Sequence, residues 1–327
     1  MRNWILPEYI EDILPAEAER MEALRRSLLD HFRAQGFRLV APPLLEHLDS
    51  LLTGTGHDLD LQTFKVVDPM SGRLLGVRAD ITPQVARIDA HLLNEPGITR
   101  LCYAGNVLRT TAGIGETREV AQIGAELFGE AGIGGDTEVI LLLLSSLAAA
   151  GVGALHLDLG HVGVYRALAA GAGVASDSED SDLYAALRAK DVPTVAALTA
   201  KLAPAWRDAL TALPSLYGPA GEVLAAARAR LPDTPAIANA LAALATLAKA
   251  AGPHVEALHI DLADLRGYHY HSGAIFSVFT PGVAAAIGNG GRYDGIGKAF
   301  GRARPATGFT LYLRQLAGIV ARAGLTP

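Results

Sequence analysis

Apolar residues fall at positions 18, 21, 24, 28 and 32, with charged residues between them and Gly36 just beyond. That spacing predicts an amphipathic helix from Pro15 to Gln35, stopped by the glycine. Phe37 to Ala41 then reads as a short strand ended by Pro42-Pro43, and Leu44 to Leu52 as a helix. Thr53 to Leu61 reads as a Gly-rich loop, and residues 63–68 and 73–78 as a hairpin around Pro69-Met-Ser-Gly72. Thr82 is a candidate N-cap for a helix with Pro83 in its first turn. Alternation predicts strands at 100–109 and 117–128, joined by the loop Thr110 to Glu116. Asp136 can cap an apolar helix at 138–150, and Leu155 to Leu159 follows as a strand.

The texture changes between residues 176 and 253. This stretch is Ala-rich, helical in period and interrupted by prolines, which predicts an all-helical insertion between two sheet-forming parts, 1–175 and 254–327. Strand character returns from Val255 to Asp261. It continues into a predicted hairpin from Leu265 to Arg292, turning at Pro281-Gly282. If residues 265–276 are extended, Tyr268, Tyr270, Ser272 and Phe276 share one face, and His269, His271, Gly273 and Ile275 the other. Glycines 288, 290 and 291 leave room for something to approach the backbone, so this hairpin is expected to wall a small-molecule pocket. Gly308 to Leu316 closes the sheet and begins a last helix.

Composition narrows the function classes. The chain has 327 residues, half of them hydrophobic, enough for a sizeable core. Its formal net charge is −6, so no basic face points to nucleic acid as the main partner. The single cysteine, Cys102, sits in an apolar run, which excludes an intrachain disulfide and suits a buried thiol in a reducing cytoplasm. The acidic N-terminus is not a signal peptide, and the apolar block at 139–152 is too short to span a bilayer, so a soluble, cytoplasmic protein is expected.

The polar positions within strands carry the candidate chemistry. In Gln122-Ile-Gly-Ala-Glu126, the odd positions are apolar, while Gln122, Gly124 and Glu126 share the other face. A Gln and a Glu flanking a glycine make a recess of acceptors suited to an ammonium or an imidazole N–H, although a solvated sheet face has the same pattern. Arg78, Asp80 and Thr82 also point one way. There Arg78 could simply pair with Asp80, and Thr82 could serve only as a cap. His269 and His271 lack further ligands at metal spacing, and no phosphate loop or nucleophile elbow is present, so no metal or cofactor is expected.

Four segments in consistent order resemble a known family: residues 77–87 (VRADITPQVAR), 118–129 (REVAQIGAELFG), 265–276 (LRGYHYHSGAIF) and 290–295 (GGRYDG). Together they resemble the catalytic core of histidyl-tRNA synthetases and, more closely, the synthetase-like regulatory subunits of ATP phosphoribosyltransferase. The likeness spans roughly residues 5–160 and 254–316 and does not extend to the insertion. It implies the α+β fold of class II aminoacyl-tRNA synthetases, a mainly antiparallel sheet flanked by helices, dimeric through the first helix and strand region. It also implies a histidine pocket from Asp80, Thr82, Gln122, Glu126, Arg266, Tyr270 and His271, with Arg109 as the Arg of the second class-defining motif.

The departures from the synthetase pattern set the expected function. Gln315 stands where an Arg would clamp ATP, with Arg314 one step away. Thr111 replaces an acidic residue two places after Arg109; His271 replaces a tyrosine and His269 an aspartate. The chain ends soon after Leu316, which implies no anticodon-binding domain and no tRNA partner. The resemblance therefore implies a non-catalytic regulatory subunit. It would bind L-histidine and a short-form ATP phosphoribosyltransferase catalytic subunit, as a homodimer within a hetero-oligomer. An adenylate-forming enzyme with an acceptor other than tRNA, and a scaffold with a relict pocket, remain as alternatives.

Overall fold

The computed structural model describes residues 5–54, 57–113, 117–174 and 182–324. The first part contains α1 (Pro15–Ala34), β1 (Arg38–Leu39), β2 (Leu45–His47), α2 (Leu48–Leu51), α3 (His57–Gln62), β3 (Phe64–Val67) and β4 (Leu74–Val77). It continues through α4 (Thr82–Arg87), β5 (Thr99–Leu108), β6 (Glu119–Phe128), α5 (Ile133–Ala149), β7 (His156–His161) and α6 (Val162–Ala172). The middle comprises α7 (Asp182–Arg188), α8 (Val192–Thr199), α9 (Pro204–Ala212), β8 (Tyr217–Pro219), α10 (Ala220–Arg230) and α11 (Pro235–Ala251). The last part is β9 (Ala257–Asp261), β10 (Ala274–Phe279), β11 (Gly288–Arg292), β12 (Ala306–Tyr312) and α12 (Leu313–Arg322).

Nine strands form one sheet in the order β1-β5-β6-β12-β11-β10-β7-β9-β8. The β1/β5 and β7/β9 pairs are parallel and the others antiparallel. On β6, Ile123, Ala125 and Leu127 turn toward α1 and α5, sharing a core with Leu24, Leu28, Phe32, Val139 and Leu143. Each such fully buried Leu or Phe contributes about 1.5–3 kcal/mol. Phe309 on β12 meets Phe32 of α1 edge-on at 5.8 Å. The alternation predicted for β6 is therefore the device that gives one sheet face to the helices and frees the other.

Several expectations need correction. Residues 44–52 are a strand followed by one helical turn, because Leu45–His47 pairs with β4 to make a separate three-stranded sheet. The expected loop at 53–61 contains helix α3; its residues 55–56, like residues 114–116 of the loop 110–116, lie outside the described residues. Thr82 does not cap α4: Ile81 takes that position, and the Thr82 hydroxyl is turned into the molecule instead. Asp136 does not cap α5, which begins at Ile133; its carboxylate is committed to Arg292. Arg78 does not pair with Asp80 but donates to the carbonyls of Pro42 and Asn106, both at 2.8 Å.

The middle segment is helical except for β8, which pairs with β9 and extends the large sheet. Helix α11 and its continuation, Pro235–His254, are long and apolar enough to cross a bilayer by length and composition alone. Its Leu241, Leu244, Leu247 and Ala251 are spent on the core shared with α5 and α6. Cys102 is buried on β5, and burial pushes its thiol up to about 11, so it packs as a small hydrophobe.

Candidate functional site

On the sheet face away from α1 and α5, a cavity of about 380 Å³ opens between strands β6, β10, β11 and β12 and the segment leading into α4. Its lining includes every residue the resemblance singled out: Asp80, Thr82, Arg109, Gln122, Glu126, Arg266, Tyr270 and His271. Period two on β6 supplies Gln122 and Glu126, and the chain leaving β4 supplies Asp80 and Thr82. Gln122 accepts the Ile81 backbone N–H at 3.2 Å, while Asp80 accepts the same N–H at 2.8 Å. These two bonds tie the β4–α4 junction to the sheet.

Glu126 is a deeply placed acid, with 1% of its surface exposed. Thr82 donates to one of its oxygens at 2.9 Å, and Tyr293 donates to the other. Gly308 lies opposite Glu126 across the β6/β12 ladder, and a Cβ there would fall 1.5 Å from the carboxylate. A glycine at 308 is thus a condition for the acid's presence. Burial pushes the Glu126 carboxyl up to about 8, against the pull of the Tyr293 and Thr82 hydroxyls and with a further push from the Asp80 charge.

This shift predicts how stability responds to pH. Between pH 4.5, the ordinary Glu value, and about 8, the folded state holds a proton that the unfolded chain has released. Stability therefore falls as pH rises through that window. Glu126→Gln, which cannot ionise, should flatten that part of the curve and melt higher than the parent above pH 8, as thermal unfolding across pH 4–9 would reveal. A slope identical to the parent's would count against this buried, proton-holding acid.

The segment 265–271 is not a strand. Turn hydrogen bonds run from Tyr270 and His271 N–H back to the Gly267 carbonyl, at 2.9 and 2.7 Å, and Gly267 has φ +60°. The expected hairpin begins only at Ala274. The turn separates the aromatic residues that alternation had put on one face. Tyr268 is buried against Tyr165, Tyr184 and Arg166, whereas Tyr270 stacks on Tyr293 with ring centroids 5.0 Å apart. The Tyr270 hydroxyl, at the cavity, has no hydrogen-bond partner among the described residues. His269 packs on Tyr184 and Tyr268 and takes no part in the lining.

Arg166 of α6 fixes this turn by donating to the carbonyls of Tyr268 and His271, both at 2.8 Å, while the Tyr184 hydroxyl of α7 holds the Leu265 carbonyl at 3.0 Å. His271 has Nδ1 3.3 Å from the Arg292 carbonyl, which can only accept, so Nδ1 carries the hydrogen and Nε2 is an acceptor. Burial pushes His271 down to about 4, keeping it neutral. Arg266 lines the cavity with its guanidinium engaged by Asp264, at 2.5 Å in the shortest bond, and that bond raises its pKa.

The glycines of β11 make room, as expected, but for the chain's own side chains. Phe276 lies against Gly290, His271 against Gly291, and Leu311 against Gly288. Alternation alone missed Tyr293, Tyr103, Thr310, Asp264 and Arg166. Tyr103 had a readable signal, since the β5/β6 register sets it opposite Gly124, whose Cβ would meet the Tyr103 hydroxyl at 2.5 Å. Gln315 and Arg314 lie on α12, outside the lining of this cavity. They border a second cavity of about 490 Å³, where Arg314 binds Glu11 and Glu17, each at 2.8 Å.

Comparison with known proteins places this architecture. The histidyl-tRNA synthetase family model matches residues 9–316, running through the middle segment that the sequence motifs had left uncovered. A protein of Ralstonia nicotianae described as ATP phosphoribosyltransferase regulatory subunit is 61% identical, over 98% of this chain and 82% of its own. One of Thiobacillus denitrificans with the same description is 59% identical, over 97% and 98%. Among solved structures, an ATP phosphoribosyltransferase regulatory subunit/histidyl-tRNA synthetase from Bacillus halodurans superposes with a TM-score of 0.85 at 26% identity, over 97% of this chain and 83% of that one. A histidine–tRNA ligase subunit from Alicyclobacillus acidocaldarius gives 0.78 at 25% identity, over 99% of both chains. With this fold and near-full-length identity, the chain belongs to the family of ATP phosphoribosyltransferase regulatory subunits, built on the histidyl-tRNA synthetase architecture.

Proposed function

We propose that this chain is a non-catalytic regulatory subunit that binds L-histidine in the cavity around Glu126. It assembles in the cytoplasm, as a homodimer within a hetero-oligomer, with a short-form ATP phosphoribosyltransferase catalytic chain. The observation that carries this reading is the convergence of Asp80, Thr82, Gln122, Glu126, Tyr270 and His271 on one cavity with a buried acid at its floor. Asp80 takes the ligand's α-ammonium; Glu126, Tyr270 and His271 address the imidazole; Gln122 and Arg266 orient the carboxylate end. Regulation follows from linkage: a ligand that binds one assembly state better shifts the equilibrium by its differential affinity and no more.

The location of Gln315 and Arg314 outside this cavity favours a binding role over adenylate formation. Arg109 and Arg266 in the lining favour the second reading, an amino-acid-activating enzyme with a non-tRNA acceptor. Purified short-form catalytic chain, assayed for phosphoribosyl transfer with and without this protein while L-histidine is titrated, separates them. Activity that needs this chain and declines with L-histidine is expected. Activity indifferent to it, together with amino-acid-dependent ATP–pyrophosphate exchange, would replace the first reading with the second.

A further inference from the structure

Behind Glu126 runs a line of hydroxyls, two of which, Tyr103 and Thr310, the sequence motifs do not contain. Thr82 Oγ1 lies 3.2 Å from the Tyr103 hydroxyl, which lies 2.6 Å from Thr310 Oγ1. All three residues are buried, and they come from three separate elements, α4, β5 and β12. Each hydroxyl has a single hydrogen to give. Thr82 gives its hydrogen to Glu126; in the sense that favours the carboxylate, Thr310 donates to Tyr103, and Tyr103 donates to Thr82 or to Glu126 itself, which its hydroxyl also reaches. The chain then reads Thr310 to Tyr103 to Thr82 to carboxylate, with Tyr293 donating from the other side.

The opposite sense needs a protonated Glu126 donating to Thr82, and it ends on the Thr310 hydrogen. Thr310 lines the cavity, so in that sense its hydrogen would turn from the protein's hydroxyls toward the cavity. The forward sense gives the hydrogens of Thr310, Tyr103 and Thr82 each a protein acceptor, and aligned hydroxyls polarise one another in its favour. Other titratable groups facing Glu126 are Asp80 from the β4–α4 junction, Tyr270 from the turn and Tyr293 beyond β11. The tyrosines are held neutral far above their usual range by burial, so Asp80 supplies the fixed charge that opposes ionisation of Glu126.

We infer that Tyr103 and Thr310 are positioning residues that bias Glu126 toward its carboxylate form, so that its remaining lone pairs are offered to a ligand bearing a donor nitrogen. This rests on the reading of the cavity as a ligand site. It adds that the site's selectivity for a nitrogen donor is set by Tyr103, beside the acid, and by Thr310 behind Tyr103. Binding of a cationic donor then displaces the proton that the empty site holds on Glu126.

The test needs no ligand to begin with. Protein labelled with [δ-13C]glutamate is titrated by NMR, and the Glu126 resonance is assigned by its loss in Glu126→Gln. Tyr103→Phe should raise the Glu126 midpoint by about one unit, since a hydrogen bond to the charged form is what it removes. Thr310→Val should raise it less. The double variant should match Tyr103→Phe alone, because Thr310 acts only through the Tyr103 hydroxyl. Additive shifts, or midpoints equal to the parent's in both single variants, would overturn the inference. Calorimetry with L-histidine forms the second arm: near pH 8, Tyr103→Phe should weaken binding and increase the protons released on binding, because the empty variant holds its Glu126 proton more fully than the parent does. Should the parent not bind L-histidine at all, the ligand assignment fails, while the NMR midpoints still decide the hydroxyl chain. Release unchanged from a parent that does bind would overturn the inference.

Discussion

Glu126→Ala is expected to remove L-histidine binding from the range calorimetry can measure while leaving the protein folded. The carboxylate is buried at the cavity, and a ligand N–H brought to it leaves water behind. Losing a hydrogen bond to a charged group costs about 1.5–3 kcal/mol, and the stranded donor adds about 1–3 kcal/mol, together roughly a hundredfold or more in affinity. Folding should survive because the acid itself is held at a cost, as its raised pKa of about 8 records. The Thr82 and Tyr293 hydroxyls it leaves behind line the same cavity, where water can reach them. A dissociation constant unchanged from the parent would sink the assignment of Glu126 to the ligand.

The largest loss of stability is expected from Arg292→Ala. Arg292 Nε reaches both oxygens of Asp136, at 3.1 and 2.9 Å, and its two remaining nitrogens donate to the carbonyls of Glu130 and Gly132, each at 3.0 Å. Asp136 is 3% exposed, and burial already raises its pKa. Removing one partner of a buried ion pair strands the other and costs about 3–5 kcal/mol. Urea unfolding should show that loss at an unchanged slope. The paired replacement Arg292→Met with Asp136→Leu should recover part of it, because no buried charge is then unmatched. A single variant within 1 kcal/mol of the parent would mean that water compensates Asp136 in place of the guanidinium.

The chain's periodicities exposed most of the architecture. Alternation in β5 and β6, the helical spacing of α1 and the turn signal between β3 and β4 each correspond to an observed element. The division of β6 into Ile123, Ala125 and Leu127 on one side and Gln122 and Glu126 on the other was legible in the sequence, and the structure turns the first set to the core and the second to the cavity. What period two could not express was the turn at 265–271. One positive-φ glycine there reverses the chain and sends Tyr268 into the core while Tyr270 stays at the cavity. Long-range partners were equally silent. Nothing local to Asp136 announces Arg292, 156 residues away, so a cap was the natural reading of an acid at a helix start. Tyr103 and Thr310 were hidden because their roles depend on strands that adjoin β6 from opposite sides.

The nine-stranded sheet has an unusual border. One margin is the two residues of β1, beginning with Arg38, and the other is the three residues of β8, which end in Pro219. Unpaired strand margins invite other chains to add themselves, and short, charged or proline-bearing margins refuse them. An extended peptide laid along β1 or β8 would find only two or three residues of that strand to pair with. The outermost strands of this wide sheet are therefore poor templates for a further chain.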